Sequence, residues 1–446
     1  MSNQLPNGWI TPTISDIASI IRGVTYKKTE SSDIETEGLL PVLRANNIQS
    51  GKLIFGDLVY VPEKNISLEQ KIKAGDIVVA MSSGSKNIVG KTAHATINWE
   101  GGFGAFCGVL RPSKLTADDF LYFFTQSLEY RNQVSELSAG VNINNLKPSH
   151  FDEINIPLPP LAEQKEIATL LDNLLAQVDT LKTRLDAIPN ILKRFRQSVL
   201  AAAVSGKLTE KNIEHVEISF GELITEMRNG LSPQPNDDKR GYPILRISAV
   251  RSLEVDKNDH RFLECDEKIF STYVLENNDL LFTRYNGSLD FVGVCGIYRG
   301  NSNDKILYPD KLIRVRTNQN KLIPQYAEIF FSSPQTRKVV TDFVKSTSGQ
   351  KGISGKDLKS VLVNLPSFEE QKEIVRRVEE LFAFADQIEQ RVKSAQQRVN
   401  HLTQAILAKA FRGELTAEWR EQNPDLISGE NSAVALLAQI KADRKK

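Results

Sequence analysis

Residues 158–209 read LPPLAEQKEIATLLDNLLAQVDTLKTRLDAIPNILKRFRQSVLAAAVSGKLT, and residues 365–416 read LPSFEEQKEIVRRVEELFAFADQIEQRVKSAQQRVNHLTQAILAKAFRGELT. The two segments align without a gap over 52 positions and share 18 identities, including all of EQKEI and the ending G-x-L-T. Self-similarity of this extent within one chain indicates an internal repeat. This repeat decides how the rest of the chain is organised.

The apolar residues of both copies recur in alternating steps of four and three, which is the heptad spacing of helices that pair with a partner helix. Each copy predicts a helix of about 40 residues, or roughly 60 Å at 1.5 Å per residue. Two matching helices in one chain favour pairing with each other, as an antiparallel coiled coil. The positions predicted to pair are Ile167, Leu171, Leu174, Val178, Leu181, Leu185 and Ile188 in the first copy and Ile374, Val378, Leu381, Ile388, Val392, Val399 and Leu402 in the second.

The ends of both helices carry recognisable signals. Ser367 followed by Glu370 predicts a capping box at the start of the second helix, and Pro159 with Pro160 marks the start of the first. Pro189 lies inside the first copy without shifting the heptads, which favours a kink over a break. Cap glycines are predicted at both C-terminal ends, at Gly206 and Gly413.

A fainter repeat surrounds the helices. Residues 40–44 are echoed by 242–246, and residues 75–79 by 278–282. Short β-branched and aromatic runs between turn residues predict two related α+β domains, each with a mainly antiparallel sheet and helical patches, in a pseudo-two-fold arrangement. The predicted segments are a first domain at 1–157, a first helix at 158–209, a second domain at 210–364, a second helix at 365–416 and a tail at 417–446 whose amphipathic stretch packs back on the body.

Composition excludes several classes of protein. A chain of 446 residues with 40% hydrophobic and 25% charged residues is typical of a globular protein with two or three domains. No apolar run is long enough to predict a membrane span, and the N-terminus has no signal pattern, so a cytoplasmic location is expected. The three cysteines have neither disulfide nor zinc-ligand spacing, and the sequence predicts no metal site.

The stretch AMSSGSKNIVGKT at residues 80–92 has the texture of a phosphate-binding P-loop. Five residues separate Gly84 from Gly90, whereas the motif requires four, and the second copy, NGSLDFVGVC, lacks the Lys-Thr pair. Nucleotide binding is therefore disfavoured. Methyltransferase, hydrolase and metalloprotease motifs are also missing from the sequence, and the five histidines show no catalytic spacing, so the chain is expected to be non-catalytic.

This order of segments closely resembles the specificity subunit of Type I restriction-modification enzymes. The resemblance covers essentially the whole chain and rests on the openings LPPLAEQKEI and LPSFEEQKEI, the endings SGKLT and RGELT, the phrase DLLFTRYNGSLDFVG and the tail TAEWREQNPD. It implies that each variable domain is a target recognition domain that reads one half of a bipartite, asymmetric DNA site. The long helices would set the gap between the half-sites.

The resemblance also implies partners. Two modification (methyltransferase) subunits would dock on the helices, and two restriction subunits would complete an ATP-dependent nuclease. S-adenosylmethionine, ATP and Mg²⁺ would then belong to those partners, with none bound by this chain, and the partners would methylate adenine or cleave DNA. Two half-sites one turn of DNA apart require recognition domains held roughly 34 Å apart. Helices of the predicted length can span that distance.

Polar residues in loops of both domains are candidates for DNA contacts, because arginine recognises guanine, amides recognise adenine, and basic and hydroxyl groups bind phosphate. Asparagine and serine are equally typical of turns, which leaves a structural role open for each. The candidates are Arg44, Asn46, Asn47, Ser82, Ser83, Ser85, Lys86, Asn142, Asn144 and Asn145 in the first domain and Arg246, Ser248, Arg284, Tyr285, Asn286, Ser288, Gln350 and Lys351 in the second.

A tandem coiled-coil scaffold that binds proteins rather than DNA is the alternative from another class. The balanced net charge of +1 supports this alternative, since a strongly basic stripe is the usual signature of nucleic-acid binding.

Overall fold

The computed structural model describes residues 5–85, 87–138, 144–209, 216–301, 303–347 and 350–445. The chain divides into two compact units, residues 1–185 with 394–446 and residues 186–393. Both boundaries fall inside the long helices. Each unit therefore contains one globular domain together with part of each long helix.

Two helices of 44 residues each follow the predicted segments. They begin immediately after the prolines and Ser367, and end just before Gly206 and Gly413, whose φ angles of 75° and 71° suit a C-terminal cap. Pro189 lies inside the first helix, which continues through it. The α-helices of the described residues are α1 Ile14–Ile17, α2 Asp118–Thr125, α3 Leu128–Leu137, α4 Leu161–Val204, α5 Glu267–Tyr273, α6 Pro324–Ser332, α7 Pro334–Asp342, α8 Gly355–Lys359, α9 Phe368–Phe411, α10 Ala417–Gln422 and α11 Ala433–Asp443.

The predicted pairing of the long helices is confirmed within each unit. In the first unit, Ile167 near the start of α4 shares a hydrophobic core with Leu407 near the end of α9. In the second unit, Val199 near the end of α4 shares a core with Ile374 near the start of α9. The start of each helix thus packs with the end of the other, as an antiparallel pair requires.

Two of the predicted pairing positions are wrong in detail. Leu181 is 46% exposed and Leu402 is 40% exposed, whereas the other predicted positions are buried or half-buried. A two-stranded pair covers one side of each helix and leaves a mid-helix leucine such as Leu181 partly in water. Near the end of α9, the buried face turns towards Leu407 and Phe411, because this end packs on the core of the first domain.

The first domain is built on a six-stranded sheet with the order β1-β10-β6-β8-β4-β3, in which most neighbours are antiparallel and β4 with β8 is parallel. A three-stranded sheet, β5-β2-β9, and a strand pair, β11-β7, complete it. Its strands are β1 Ala18–Arg22, β2 Leu39–Leu43, β3 Ile48–Gln49, β4 Lys52–Leu53, β5 Val59–Pro62, β6 Ile77–Ala80, β7 Ser82–Ser83, β8 Thr92–His94, β9 Gly102–Phe103, β10 Cys107–Pro112 and β11 Asn144–Asn145.

The second domain repeats this plan in smaller sheets, all antiparallel among the described residues: β13-β21-β18-β20, β19-β23-β22, β14-β17, β15-β16 and β12-β24. The mixed α/β character and mainly antiparallel pairing agree with the prediction. Its strands are β12 Val216–Ser219, β13 Ile224–Asn229, β14 Tyr242–Leu245, β15 Val250–Arg251, β16 Glu254–Val255, β17 His260–Leu263, β18 Leu280–Thr283, β19 Tyr285–Asn286, β20 Cys295–Ile297, β21 Leu312–Thr317, β22 Lys345–Thr347, β23 Gln350–Gly352 and β24 Leu362–Leu365.

The same ion pair fixes the central strands of both domains. Asp76, at the start of β6, accepts two hydrogen bonds of 2.7 Å from Arg111 of β10. Asp279, at the start of β18, accepts bonds of 2.7 and 3.2 Å from Arg316 of β21. Burial raises the pKa of Asp279, while the hydrogen bonds from Arg316 favour its charged form.

The glutamine of EQKEI joins each long helix to the domain before it. Gln164 accepts a 3.1 Å hydrogen bond from the backbone N–H of Ala117, which precedes α2, and Gln371 accepts a 2.8 Å bond from that of Ile323, which precedes α6. Each glutamine also donates to the carbonyl five residues before it, at 2.9 and 3.1 Å. Both side chains are fully buried, so the same contact orients the domain on its helix in each unit.

The neighbouring glutamate of the first copy is the centre of a buried polar cluster. The Glu163 carboxylate accepts hydrogen bonds from Trp9 Nε1 at 2.9 Å, from Thr416 Oγ1 at 2.7 Å and from two guanidinium nitrogens of Arg420 at 2.8 and 2.9 Å. Glu163 is fully buried and Arg420 is 16% exposed. The cluster ties the tail and the N-terminal segment of the first unit to the start of α4.

The rest of the tail also packs on the first unit. Leu436 and Ile440 of α11 are buried in the core of the first domain. Lys441 lies 2.9 Å from Asp16 of α1. Among the described residues, none of the helices combines the length and apolar character that a membrane crossing needs.

Replacing Arg420 tests the buried cluster. Arg420→Met would leave the Glu163 carboxylate buried without a cation, a change that costs about 3 kcal/mol or more of folding free energy. We expect a lower urea midpoint for the first unit. Arg412→Met removes an exposed arginine that pairs with Glu414 and should change stability by less than about 0.5 kcal/mol; equal midpoints for the two variants would contradict a stabilising role for the cluster.

Candidate nucleic-acid interface

Five of the residues predicted to contact DNA in the second domain line one cleft. The cleft has a volume of about 1050 Å³. It lies where the segment after β14 meets the strands β19 and β23. The predicted residues that line it are Arg246, Ser248, Tyr285, Asn286 and Gln350.

The turn after β14 presents the first of these residues. β14 pairs with β17 up to Leu245, and the next residue, Arg246, donates its backbone N–H to the carbonyl of Asp259 at 2.9 Å. The Arg246 guanidinium is 51% exposed and lies 3.7 and 3.8 Å from the carboxylates of Asp237 and Asp259. Ser248 donates a hydrogen bond to Asp259. The two carboxylates thus attract the Arg246 guanidinium without close hydrogen bonds to it, and the guanidinium remains accessible to a ligand.

Two stretches that the sequence suggested separately are hydrogen-bonded neighbours. Tyr285 of β19 pairs with Gly352 of β23, and Asn286 pairs with Lys351. Gln350 is exposed at the start of β23, and Lys351 is half-buried. The Asn286 side chain accepts a 3.0 Å bond from the N–H of Ser288, which gives these two residues a turn-forming role as well.

Three basic residues of the cleft were missed by the sequence reasoning: Arg251, Arg261 and Lys311. Arg261 makes a two-bond pair with Asp237 at 2.8 and 2.9 Å. Arg251 is the residue after Val250 in β15, and Lys311 directly precedes β21, so no local motif marks either of them. Strand pairing brings them to the cleft from distant parts of the sequence.

Two aromatic rings of the cleft lie against cationic side chains. The Tyr285 ring has the Arg284 guanidinium 4.7 Å and the Lys311 ammonium 5.4 Å from its centre. The Phe291 ring, in a side chain 38% exposed, has Arg251 at 4.7 Å. Such pairs hold the cations by cation–π attraction and offer flat surfaces on which bases could stack.

The corresponding strands of the first domain carry small polar residues instead. Ser83 of β7 pairs with Asn144 of β11, and Ser82 pairs with Asn145. Asn145 and Ser85 are exposed, and the N–H of Ser85 donates to the Ser83 hydroxyl at 3.2 Å. The candidates Lys86 and Asn142 lie outside the described residues.

The turn after β2 repeats the arrangement that follows β14. Arg44 donates to the Asp57 backbone carbonyl at 2.8 Å and lies 2.9 Å from its carboxylate. Asn46 is exposed and donates to the same carboxylate at 2.8 Å. Asp57 occupies in the first domain the place that Asp259 occupies in the second. Its contacts with Arg44 are shorter, which holds this arginine more firmly.

Two of the predicted DNA contacts are wrong. Asn47 is 2% exposed, and its amide donates to the carbonyls of Ile54 and Gly56 at 2.8 and 2.6 Å, so it builds the turn rather than the surface. Asn144 is 6% exposed and is the strand partner of Ser83. A sequence pattern favours asparagine equally for turns and for base contacts, and burial distinguishes the two roles.

His94 has acidic neighbours that the sequence did not suggest. Its Nε2 lies 3.2 Å from Asp118 and its Nδ1 lies 3.3 Å from Asp119. The hydrogen bond from His94 lowers the pKa of Asp118. The three side chains are close enough to hold a cation, but each ring nitrogen already faces a carboxylate. That arrangement suits a histidine paired with two acids, and it joins β8 to α2.

Comparisons with known proteins agree on one family. A family model described as the Type I restriction modification DNA specificity domain matches residues 6–190 and 212–396. The chain is 59% identical to the Type I restriction enzyme EcoKI specificity subunit of Escherichia coli (strain K12), covering 99% of this chain and 97% of that protein. It is 48% identical to the StySPI specificity subunit of Salmonella potsdam, covering 99% and 96%.

A solved structure supports the fold. The crystal structure of the HsdS subunit from Thermoanaerobacter tengcongensis matches with a TM-score of 0.61 at 18% identity, covering 92% of this chain and 98% of that one. A second structure, described as the structural basis of complex assembly and conformational transition of the type I R-M system, matches with a TM-score of 0.67, also at 18% identity, covering 92% and 99%.

The adjacent amides of Asn46 and Asn47 provide a test of the assignments in the first domain. Asn47→Ala would leave two backbone carbonyls and the N–H of Arg44 without their partner, and we expect a loss of about 1–3 kcal/mol in unfolding free energy. Asn46→Ala should change stability by less than about 0.5 kcal/mol, because its side chain is exposed. Urea unfolding of both variants measures the difference, and equal losses would show that burial does not separate their roles.

Proposed function

Because the chain belongs to the Type I restriction modification DNA specificity family, we propose that each of its two units reads one half of a bipartite, asymmetric site in double-stranded DNA. The chain is a non-catalytic specificity subunit that recognises DNA sequence, and catalysis lies with partner subunits. The scaffold role without DNA is not favoured by this membership.

The cleft of the second unit carries the proposal. It combines accessible arginines, amide side chains and aromatic rings within one concave surface. The guanidinium groups of Arg246 and Arg251 are of the type that reads guanine or binds phosphate, and the amides of Asn286 and Gln350 are of the type that reads adenine. Tyr285 and Phe291 add planes for stacking against an exposed base or sugar.

The first unit offers different chemistry at equivalent positions. Serines occupy the places of Tyr285 and Asn286, and Asn46 occupies the place of Ser248. One backbone plan with two sets of side chains would recognise two different half-sites. An asymmetric target is therefore expected, with the length of the long helices setting the gap.

Partner subunits complete the proposed activity. The relatives are named as specificity subunits of Type I restriction enzymes, and one matched structure is described as the structural basis underlying complex assembly of the type I R-M system. We infer that two modification subunits and two restriction subunits assemble on this chain and supply S-adenosylmethionine, ATP and Mg²⁺ chemistry, including methylation of adenine. A net charge of +1 supports shared phosphate contacts, since this chain would not neutralise a long DNA segment by itself.

Footprinting of the assembled complex on genomic DNA fragments tests the proposal. We expect protection centred on two short specific sequences separated by a fixed, unspecific gap. Arg246→Ala should weaken binding to the full site about tenfold, as the loss of a direct base or phosphate contact typically does. Arg240→Ala removes an exposed arginine paired with Asp238 outside the cleft lining and serves as the control. Assembly with partners but without any sequence preference would contradict the proposal.

A further inference from the structure

The loops that carry the candidate contacts are held in the same way in both units. We call them the reading loops: residues 81–85 with 87–90 in the first unit and residues 284–293 in the second. Each follows a central strand, β6 or β18. Each closes on that strand through a glycine N–H, with Gly90 donating to Ala80 at 2.8 Å and Gly293 donating to Thr283 at 2.7 Å.

An arginine from the adjacent helix binds the same two carbonyls of each loop. Arg131 of α3 donates to the carbonyls of Val89 at 2.7 Å and Asn87 at 3.3 Å. In the second unit, the corresponding arginine binds the corresponding carbonyls. Arg337 of α7 donates to Val292 at 2.8 Å and to Asp290 at 3.5 Å.

The helix start places each arginine. Ser127 caps α3 by accepting the N–H of Tyr130, and Ser333 caps α7 by accepting the N–H of Thr336. The arginine follows each cap serine by four positions, which places it on the first turn of the helix. The repeated cap therefore aims the guanidinium at the loop in both units.

The loop glycine and the helix are in close contact. A Cβ at Gly90 would lie 2.4 Å from Val134 Cγ1, and a Cβ at Gly293 would lie 2.5 Å from Val340 Cγ1. Both glycines have positive φ angles, 75° and 66°. The end of each reading loop is thus pressed against the helix that carries the arginine.

Helix packing would not by itself require an arginine at this place. Burial lowers the pKa of Arg337, and its Nη1 has no hydrogen-bond partner among the described residues. An apolar side chain would fill the space between helix and loop without the cost of burying a charge. Arg131 reaches its two carbonyls with both terminal guanidinium nitrogens, a planar geometry that an apolar side chain or a lysine ammonium reproduces less well. Arg337 reaches both of its carbonyls with one nitrogen, Nη2.

We infer that Arg131 and Arg337 are positioning residues for DNA reading: each fixes the reading loop of its own unit so that the side chains at the loop tip, such as Ser83 and Ser85 or Tyr285 and Asn286, meet the bases in one orientation. The inference rests on the proposed function. It adds a pair of residues that touch no DNA themselves and whose effect is confined to one half-site each.

Arg131→Lys and Arg337→Lys, each assembled with the modification subunits, test the inference on DNA duplexes altered in one half-site at a time. In the unaltered complex, a changed base pair should weaken binding about tenfold or more. In Arg337→Lys, a changed base pair in one half-site should weaken binding about threefold or less. A changed base pair in the other half-site should still weaken binding about tenfold or more. Arg131→Lys should show the reverse pattern. Lys338→Met, which removes an exposed cation from the same helix α7, should keep both costs.

A general loss of stability would weaken both half-sites together, so the reciprocal pattern separates positioning from folding. Hydrogen exchange adds a second measurement, since residues 284–293 should exchange faster in Arg337→Lys. Where that variant does not accumulate, Arg337→Gln keeps one N–H donor group for the loop carbonyls without the charge and is held to the same criterion. The inference would be overturned if a changed base pair in either half-site weakened binding by the arginine variants as much as it weakens binding by the unaltered complex. An unaltered complex that shows no sequence preference would instead overturn the proposed function.

Discussion

Each long helix is bonded at its first turn to the domain before it through a glutamine that water does not reach. Gln164 and Gln371 each bridge a backbone N–H of the domain and a carbonyl just before the helix. Because a buried amide left without either partner would cost about 1–3 kcal/mol, the domain has little freedom to turn on its helix. Each glutamine therefore fixes how its domain meets the start of the helix that follows it.

The two domains differ where they would meet a ligand. The ion pairs Asp76–Arg111 and Asp279–Arg316, in which the aspartates are buried, hold matching strands in both domains. In the strand pairs that carry candidate contacts, the first domain has Ser82, Ser83, Asn144 and Asn145, and the second has Tyr285, Asn286, Gln350 and Lys351. Conserved burial with divergent surface chemistry is what a protein needs to keep one geometry while reading two different sequences.

The sequence predicted what depends on periodicity. Heptad spacing located both long helices, and Ser367, Gly206 and Gly413 marked their ends correctly. The sequence could not predict the side-chain positions that depend on contacts between residues far apart in the chain. Lys311 reaches the cleft through strand pairing, and the burial of Asn47 depends on the fold of the turn around it, which no sequence pattern encodes. The exposure of Leu402 also depends on such packing, since the end of α9 buries Leu407 and Phe411 against the core of the first domain.

The claim that helix length sets the spacing of the two half-sites is the most direct one to measure. Four residues, about one helical turn, inserted after Thr183 would lengthen α4 inside the paired region. Methylome sequencing of a host with the complete system would then report the target, with the same insertion after residue 426 of the tail as a control. The expected result is a longer gap with both half-sites unchanged. An unchanged gap would contradict the role of the helices as a ruler.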